Sequence, residues 1–185
     1  MRYPDSRKEE THARIVASAA ELLRGAGVNG IGVADLMKSV GLTHGGFYAH
    51  FDSKEALVAE SVSTALEQTT ARLRAAAEAA PKSAARQAIA ASYLSAKHRD
   101  HPEKGCAAAA LGADVARMTP ATRDVFEDKL EEMLAMLGGY SGDRGDSRDK
   151  AIVMFSTMVG ALLLARAVRS KGFSEEILEA ARKAV

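Results

Sequence analysis

Apolar residues recur at intervals of three and four along nearly the whole chain and alternating β-branched runs are few, a pattern that predicts an all-α fold of about nine helices. The first helix is expected to begin near Ser6 and to carry Ile15, Val16, Ala19, Leu22, Leu23 and Ala26 on one face, ending where Gly25 and Gly27 interrupt it. A short second helix has Val33, Leu36, Met37 and Val40 as its apolar stripe. Gly41, in Val40-Gly41-Leu42-Thr43, is placed to take the left-handed conformation that reverses the chain. Thr43 then caps a third short helix, His44 to His50, and Ser53 starts a long fourth one after the Phe51-Asp52 break. That helix runs through Leu57, Val62, Leu66 and Leu73 to an Ala-rich stretch before Pro81. Further helices are expected over 82–98, 106–118, 120–137, 148–170 and 174–185, with turns at Pro102 to Gly105 and Thr119-Pro120, and the most flexible loop in the glycine-rich 138–147.

Composition adds limits. At 185 residues and 47% hydrophobic, the chain can bury a real core as one medium domain or two small ones. Met1 to Glu10 is polar and charged throughout, so no signal segment is read there and a cytoplasmic location is expected. The longest uncharged apolar run, Ala151 to Ala165, is shorter than the roughly 18 residues that suggest a bilayer span, and is read as a buried or interface helix with no membrane partner. A single cysteine, Cys106, excludes an intramolecular disulfide and fits a reduced compartment. Lys and Arg (25) nearly balance Asp and Glu (24), and the first 52 residues are equally neutral, so bulk charge does not point to nucleic acid. A few cations placed at helix ends suffice for a phosphate-binding face.

The helix, tight glycine turn and second helix of Val33 to His50 have the spacing of a helix-turn-helix, whose second helix is sized to enter the major groove. The residues themselves are more specific. Gly41-Leu42-Thr43-His44-Gly45-Gly46-Phe47-Tyr48-Ala49-His50-Phe51-Asp52-Ser53-Lys54-Glu55-Ala56-Leu57 closely resembles the signature of the TetR family of transcriptional repressors. The likeness extends back through Ala13-Arg14-Ile15-Val16, Ala19-Ala20-Glu21-Leu22-Leu23 and Gly27; beyond Leu57 it is mainly one of length and helix count.

The resemblance implies a helix-turn-helix domain over 1–52, a connecting helix over 53–80, and an effector-binding and dimerisation domain over 81–185. It implies that Thr43, His44, Gly45, Gly46, Tyr48, His50 and Lys54 meet double-stranded, palindromic operator DNA, with Tyr48, His50 and Lys54 on the backbone. Gly45 and Gly46 each weaken helix propensity by roughly 1 kcal/mol, a cost that makes sense if the backbone must approach the DNA closely. Phe47 reads as core. Thr43 is either a cap alone or a cap and phosphate donor, and His44 either reads a base edge or meets a phosphate. Gly32 departs from the Ser or Thr usual at its position in the family, which leaves a cap but removes one DNA contact.

A one-component repressor needs a sensor, and Tyr93, Cys106, Leu111, Met118, Phe126, Met133 and Met154 sit at helical spacings among Ala-rich segments, where they line either an apolar pocket or a plain core. A small apolar or aromatic effector is the expectation. Cys106, opening a helix, is read as core or pocket lining, or as an electrophile-sensitive thiol; His98, Asp100 and His101 nearby leave a metal site or Cys-His pair as a lesser reading. Ile152, Phe155, Val159, Leu162 and Leu163, with Gly160, form an apolar face expected to pair two copies into a homodimer, internal burial being the alternative. No HExxH, GxSxG, P-loop or dinucleotide fingerprint occurs, so neither catalysis nor a cofactor is expected.

Overall fold

The computed structural model describes residues 5–140 and 147–185. Helices α1 (Asp5–Ala26) and α2 (Val33–Ser39) are followed by a 3-10 helix, His44–Ala49, and then by the long α3 (Lys54–Glu78). After a 3-10 turn at Lys82–Ala84 come α4 (Ala85–Tyr93), α5 (Ala96–Asp100), a second 3-10 turn (Pro102–Lys104), α6 (Ala107–Val115), α7 (Pro120–Gly138), α8 (Ser147–Ala167) and α9 (Lys171–Ala184). The fold is all-α with nine α-helices and no strand among the described residues. Of the expected loop over 138–147, positions 141–146 lie outside the described residues.

Two glycines do the turning expected of them. Gly27 (φ +78°) ends α1 and Gly41 (φ +75°) reverses the chain after α2, a region of backbone that side-chain-bearing residues avoid. Elsewhere local capping overrides the apolar period. The helix expected over 82–98 is broken at Leu94, because Ser95 Oγ accepts from His98 N–H at 3.2 Å and starts α5 afresh. The last helix starts at Lys171, capped by Ser170; Ser174, expected to begin it, instead donates its hydroxyl to Ala165 C=O at 2.7 Å. The segment 44–50 is a 3-10 helix rather than an α-helix, as suits a short stretch holding two glycines.

Ile15, Ala19 and Leu23 of α1 close over Leu36, Met37, Phe47, Phe51 and the first turns of α3, all buried. Further along α3, Leu66 and Leu73 pack with Ile89, Leu111, Met133 and Leu162 in the same continuous core. One helix thus belongs to both halves of the molecule. Helix α8 is by length and mean hydropathy (1.5) able to cross a membrane. Here Ala151, Met154, Phe155, Met158, Ala161, Leu162 and Ala165 are instead buried inside the protomer.

That burial corrects part of the expected dimer face. Phe155 (5% exposed) and Leu162 (0%) are core residues, whereas Ile152, Val153, Leu163 and Leu164 are exposed and Val159 is half-buried. Helix α8 is apolar on nearly every side, so periodicity alone does not tell which stripe faces inward. Phe173, near the start of α9, is exposed as well, at 53%.

Candidate nucleic-acid interface

The 3-10 helix after Thr43 is held from below and bare above. Phe47 is buried at 1% exposure and stacks on Phe51 with ring centroids 5.5 Å apart, which fixes the segment on the α1–α3 core. Thr43, His44, Gly45 and Tyr48 are exposed on the other side, and Gly46 is half-buried. Tyr48, 66% exposed, stands edge-on to Phe47 and meets the His44 ring at 6.0 Å, so the two outward side chains form one polar-aromatic ridge. A Cβ on Gly45 would meet nothing within 4 Å, and one on Gly46 would make only ordinary contacts with Thr43 and Met37. Packing inside the protein therefore does not require either glycine.

Thr43 Oγ1 makes no capping hydrogen bond; its carbonyl alone accepts Gly46 N–H at 3.0 Å, and the hydroxyl is free to face a partner. That differs from the side-chain cap expected of it. Gly32, by contrast, is the N-cap of α2 as expected, through its backbone. His50 lies at the margin of the ridge: its ring stands 6.1 Å from that of His12, and burial, with His12 and Lys8 beside it, lowers its pKa. His12 is stacked on Phe51 at 4.4 Å and joined to Glu60 at 2.6 Å, tying α1 to α3.

Lys54 departs most from expectation. Its Nζ turns inward, donating to Val28 C=O at 2.7 Å and Ile31 C=O at 2.8 Å, and so fastens the α1–α2 loop to the start of α3. Its neighbour Glu55 points the other way: Oε1 accepts from Thr119 N–H (3.0 Å) and from the Thr122 hydroxyl (3.2 Å), closing the open N-terminus of α7. Those hydrogen bonds from Thr119 and Thr122 hold the Glu55 carboxyl below its usual range. Asp114, at the end of α6, accepts Val28 N–H at 3.3 Å. The helix-turn-helix is thereby attached to the α6–α7 corner, beside a 360 Å³ crease that includes Val28, Lys54, Asp114 and Met118. A second attachment lies on α1's side, where Arg24 donates from Nε to Glu103 C=O at 2.8 Å. None of these ties was legible in the sequence, since each joins residues 23 to 86 positions apart, most of them through a loop carbonyl or amide.

The residues read as an effector pocket divide. Tyr93, Cys106, Leu111, Met133 and Met154 are buried in the core, Met118 lines the crease just described, and Phe126 lines an open 290 Å³ cleft between α6 and α7. Cys106 is fully buried, and its backbone N–H, not its thiol, engages His98 Nε2 at 2.9 Å. His98 Nδ1 in turn meets Tyr93 C=O at 2.6 Å, so the ring donates from Nδ1 and accepts at Nε2. Burial outweighs that bond to Tyr93 and, with Arg72, Arg166 and Arg24 near, lowers the His98 pKa to about 4. This is a neutral structural histidine, not half of a Cys-His pair, and the described residues hold no cluster fit for a metal.

Residues 15–61 match the family model for bacterial regulatory proteins, tetR family. Among curated proteins none matches the sequence. Solved structures of similar fold include the reduced form of NemR from E. coli, with 23% identity, TM-score 0.78, and coverage of 95% of this chain and 94% of that one. A TetR transcriptional regulator from Chloroflexus aurantiacus has 23% identity and TM-score 0.80, covering 96% and 95%. A TetR-family transcriptional regulator from Cytophaga hutchinsonii has 19% identity and TM-score 0.82, covering 99% and 96%. At such identities the likeness is one of fold.

Proposed function

Through residues 15–61 the chain belongs to the tetR family of bacterial regulatory proteins, and from that premise we propose that this DNA-binding regulator is a homodimeric repressor released from a palindromic operator by a small molecule. In this reading 1–52 reads DNA, 53–80 connects, and 81–185 senses and pairs. The observation that carries it is the outward face of the 3-10 helix. Thr43, His44, Gly45 and Tyr48 are exposed there, over an anchored Phe47, with two glycines that internal packing does not ask for. Small residues on an outer face suit a backbone that must come close to a phosphate or a base edge.

Thr43 and Tyr48 supply hydroxyls for phosphate, and His44 supplies ring nitrogens at the leading end, where base edges are read. His50 and Lys54 serve from behind, the first by packing against α1 and the second by holding the α1–α2 loop. Release by an effector needs two arrangements with different ligand affinities. The ties from Asp114 to Val28 and from Arg24 to Glu103 give the helical body two grips on the DNA-reading unit, and the tie from Glu55 to Thr119 gives it one on the connecting helix. In a dimer, half-sites lie about 34–36 Å apart, so a small pivot of α3 displaces one reading segment from its groove.

The test is selection of bound sequences from a random duplex pool by the purified protein, followed by titration of the winner at two salt concentrations. Enrichment of a palindrome bound by two protomers is the expected result. A folded, dimeric protein that enriches nothing would overturn the reading.

A further inference from the structure

Between α3 and the α4–α5 corner lies a cleft of about 420 Å³ walled by Arg72, Ser92, Ser95, Lys97, His98, His101 and Lys104. We propose that this cleft binds a small organic oxyanion, a carboxylate or a phosphate, and that this anion is the effector of the proposed repressor, on which reading the inference rests.

The lining contains no carboxylate. Of the nearby acids, Asp100 is paired with Arg99, outside the lining, at 2.7 Å, while Glu103 lies beside the cleft with Oε1 3.3 Å from the lining His101. Arg72, Lys97 and Lys104 make no ion pair among the described residues, so three cations line one concavity and none of them has a carboxylate within ion-pair distance. Arg72 is incompletely satisfied as well. Its Nη1 donates to Lys104 C=O at 3.0 Å, while Nη2 is buried without an acceptor. A guanidinium presents its donors as a planar fork, so a small shift of the side chain into the cleft offers an oxyanion the Nη2 donors that have no acceptor at present. Ser92 and Ser95 bring hydroxyls to the same cavity, and the aliphatic stems of Lys97 and Lys104 offer an apolar lining to the rest of the ligand. The volume falls within the range of small-molecule sites, about 300–1,000 Å³.

The cleft is also wired to the DNA-reading domain. Two successive carbonyls of the Pro102–Lys104 turn are held from opposite sides: Glu103 C=O by Arg24 of α1, and Lys104 C=O by Arg72 of α3. An anion that draws the Arg72 fork or Lys104 toward itself pulls on the same turn that α1 grips. The ligand then reaches the helix-turn-helix through two hydrogen bonds and one turn, independently of the apolar core.

Calorimetry on the full-length protein at low ionic strength tests the site, with benzoate and inorganic phosphate as probes and benzamide as the neutral counterpart of benzoate. The expected result is saturable binding of one anion, with benzamide at least tenfold weaker than benzoate if carboxylate is preferred. Lys97→Gln combined with Lys104→Gln, both exposed positions, should weaken that anion at least tenfold with an unchanged melting temperature; Arg72→Gln should weaken it as much while lowering the melting temperature, since it also loses the bond to Lys104 C=O. No saturable heat from either anion up to about 20 mM, a concentration well above a millimolar Kd, or equal affinity in the double variant, would overturn the proposal. Operator binding is read separately by fluorescence anisotropy. Anion binding that survives on a protein with no operator would support the site while removing the repressor reading; operator binding with no anion site would do the reverse.

Discussion

Glu55 accepts the backbone N–H of Thr119 at 3.0 Å, so a residue in the first turn of α3 caps a helix 64 positions further along. The open amides at the start of α7 lose this acceptor in Glu55→Ala, and nothing else nearby replaces it. The expected outcome is faster amide exchange across 119–123 and a melting temperature lower by about 2–4 °C, the response to losing one cap in a chain of this size. Because its hydrogen bonds lower the Glu55 pKa, the contribution is present above the ordinary carboxyl range and lost as pH falls below it. Unaltered exchange at 119–123 would show that the carboxylate is not the working cap.

Gly45 separates stability from DNA recognition. Its Cβ would meet nothing within 4 Å, so Gly45→Ala should leave the fold intact or stabilise it by up to about 1 kcal/mol. On the proposed reading DNA affinity should fall at least tenfold, since the added methyl would stand where the backbone is expected to approach the duplex. Urea unfolding and anisotropy on the same variant make the comparison. An alanine variant that binds its operator as tightly as the parent would remove the close-approach argument.

Lys54→Met keeps the stem and removes the two hydrogen bonds to Val28 and Ile31. Exchange should rise over 28–32, and affinity should drop by a similar factor for every DNA sequence. The slope of log affinity against log salt should not change, because the ammonium neutralises no phosphate in this arrangement. A slope lower by about one would instead mean that Lys54 leaves the loop for a phosphate on DNA.

The N-terminal half was legible because its chemistry is local. Gly27 and Gly41 turn the chain where backbone sterics require glycine, and Phe47 points inward among residues that point out. What escaped was set by distant partners. Nothing about Lys54 in the sequence distinguishes a phosphate ligand from a clamp on carbonyls 23 and 26 positions away. Helix α8 misled differently: with apolar residues all round, Phe155 and Leu162 looked as fit for a dimer face as Ile152 and Leu163, and only the placement of α6, α7 and α9 decides between them. The cationic cleft was invisible because Arg72 and Lys104 meet across 32 positions.

His98 makes stability depend on pH in a specific window. Its folded pKa is about 4 against an ordinary 6.5, so the unfolded chain takes up the proton first. Stability is therefore full above 6.5 and declines as pH falls toward 4, by about 2 kcal/mol at pH 5. Protonation would also set an Nε2 donor against the Cys106 N–H it now accepts. Urea unfolding at pH 7 and pH 5 should show this loss in the parent and a flatter response in His98→Gln. An identical pH response in both would assign the titration to another group.

Val153 and Leu164 are 64% and 54% exposed on the outward stripe of α8, which suits a buried role only when a second copy covers it. Neither touches the protomer core deeply, so Val153→Glu or Leu164→Glu should fold normally. In a twofold dimer each substitution acts twice, and two carboxylates brought together at an apolar interface repel and lose water. The expected outcome by analytical ultracentrifugation is a monomer in place of the dimer, with the helical circular dichroism spectrum retained. Phe155→Glu, at a core position, should by contrast lose the fold itself, by about 3 kcal/mol or more. A Leu164→Glu protein that sediments as a dimer would place the subunit contact elsewhere on the molecule.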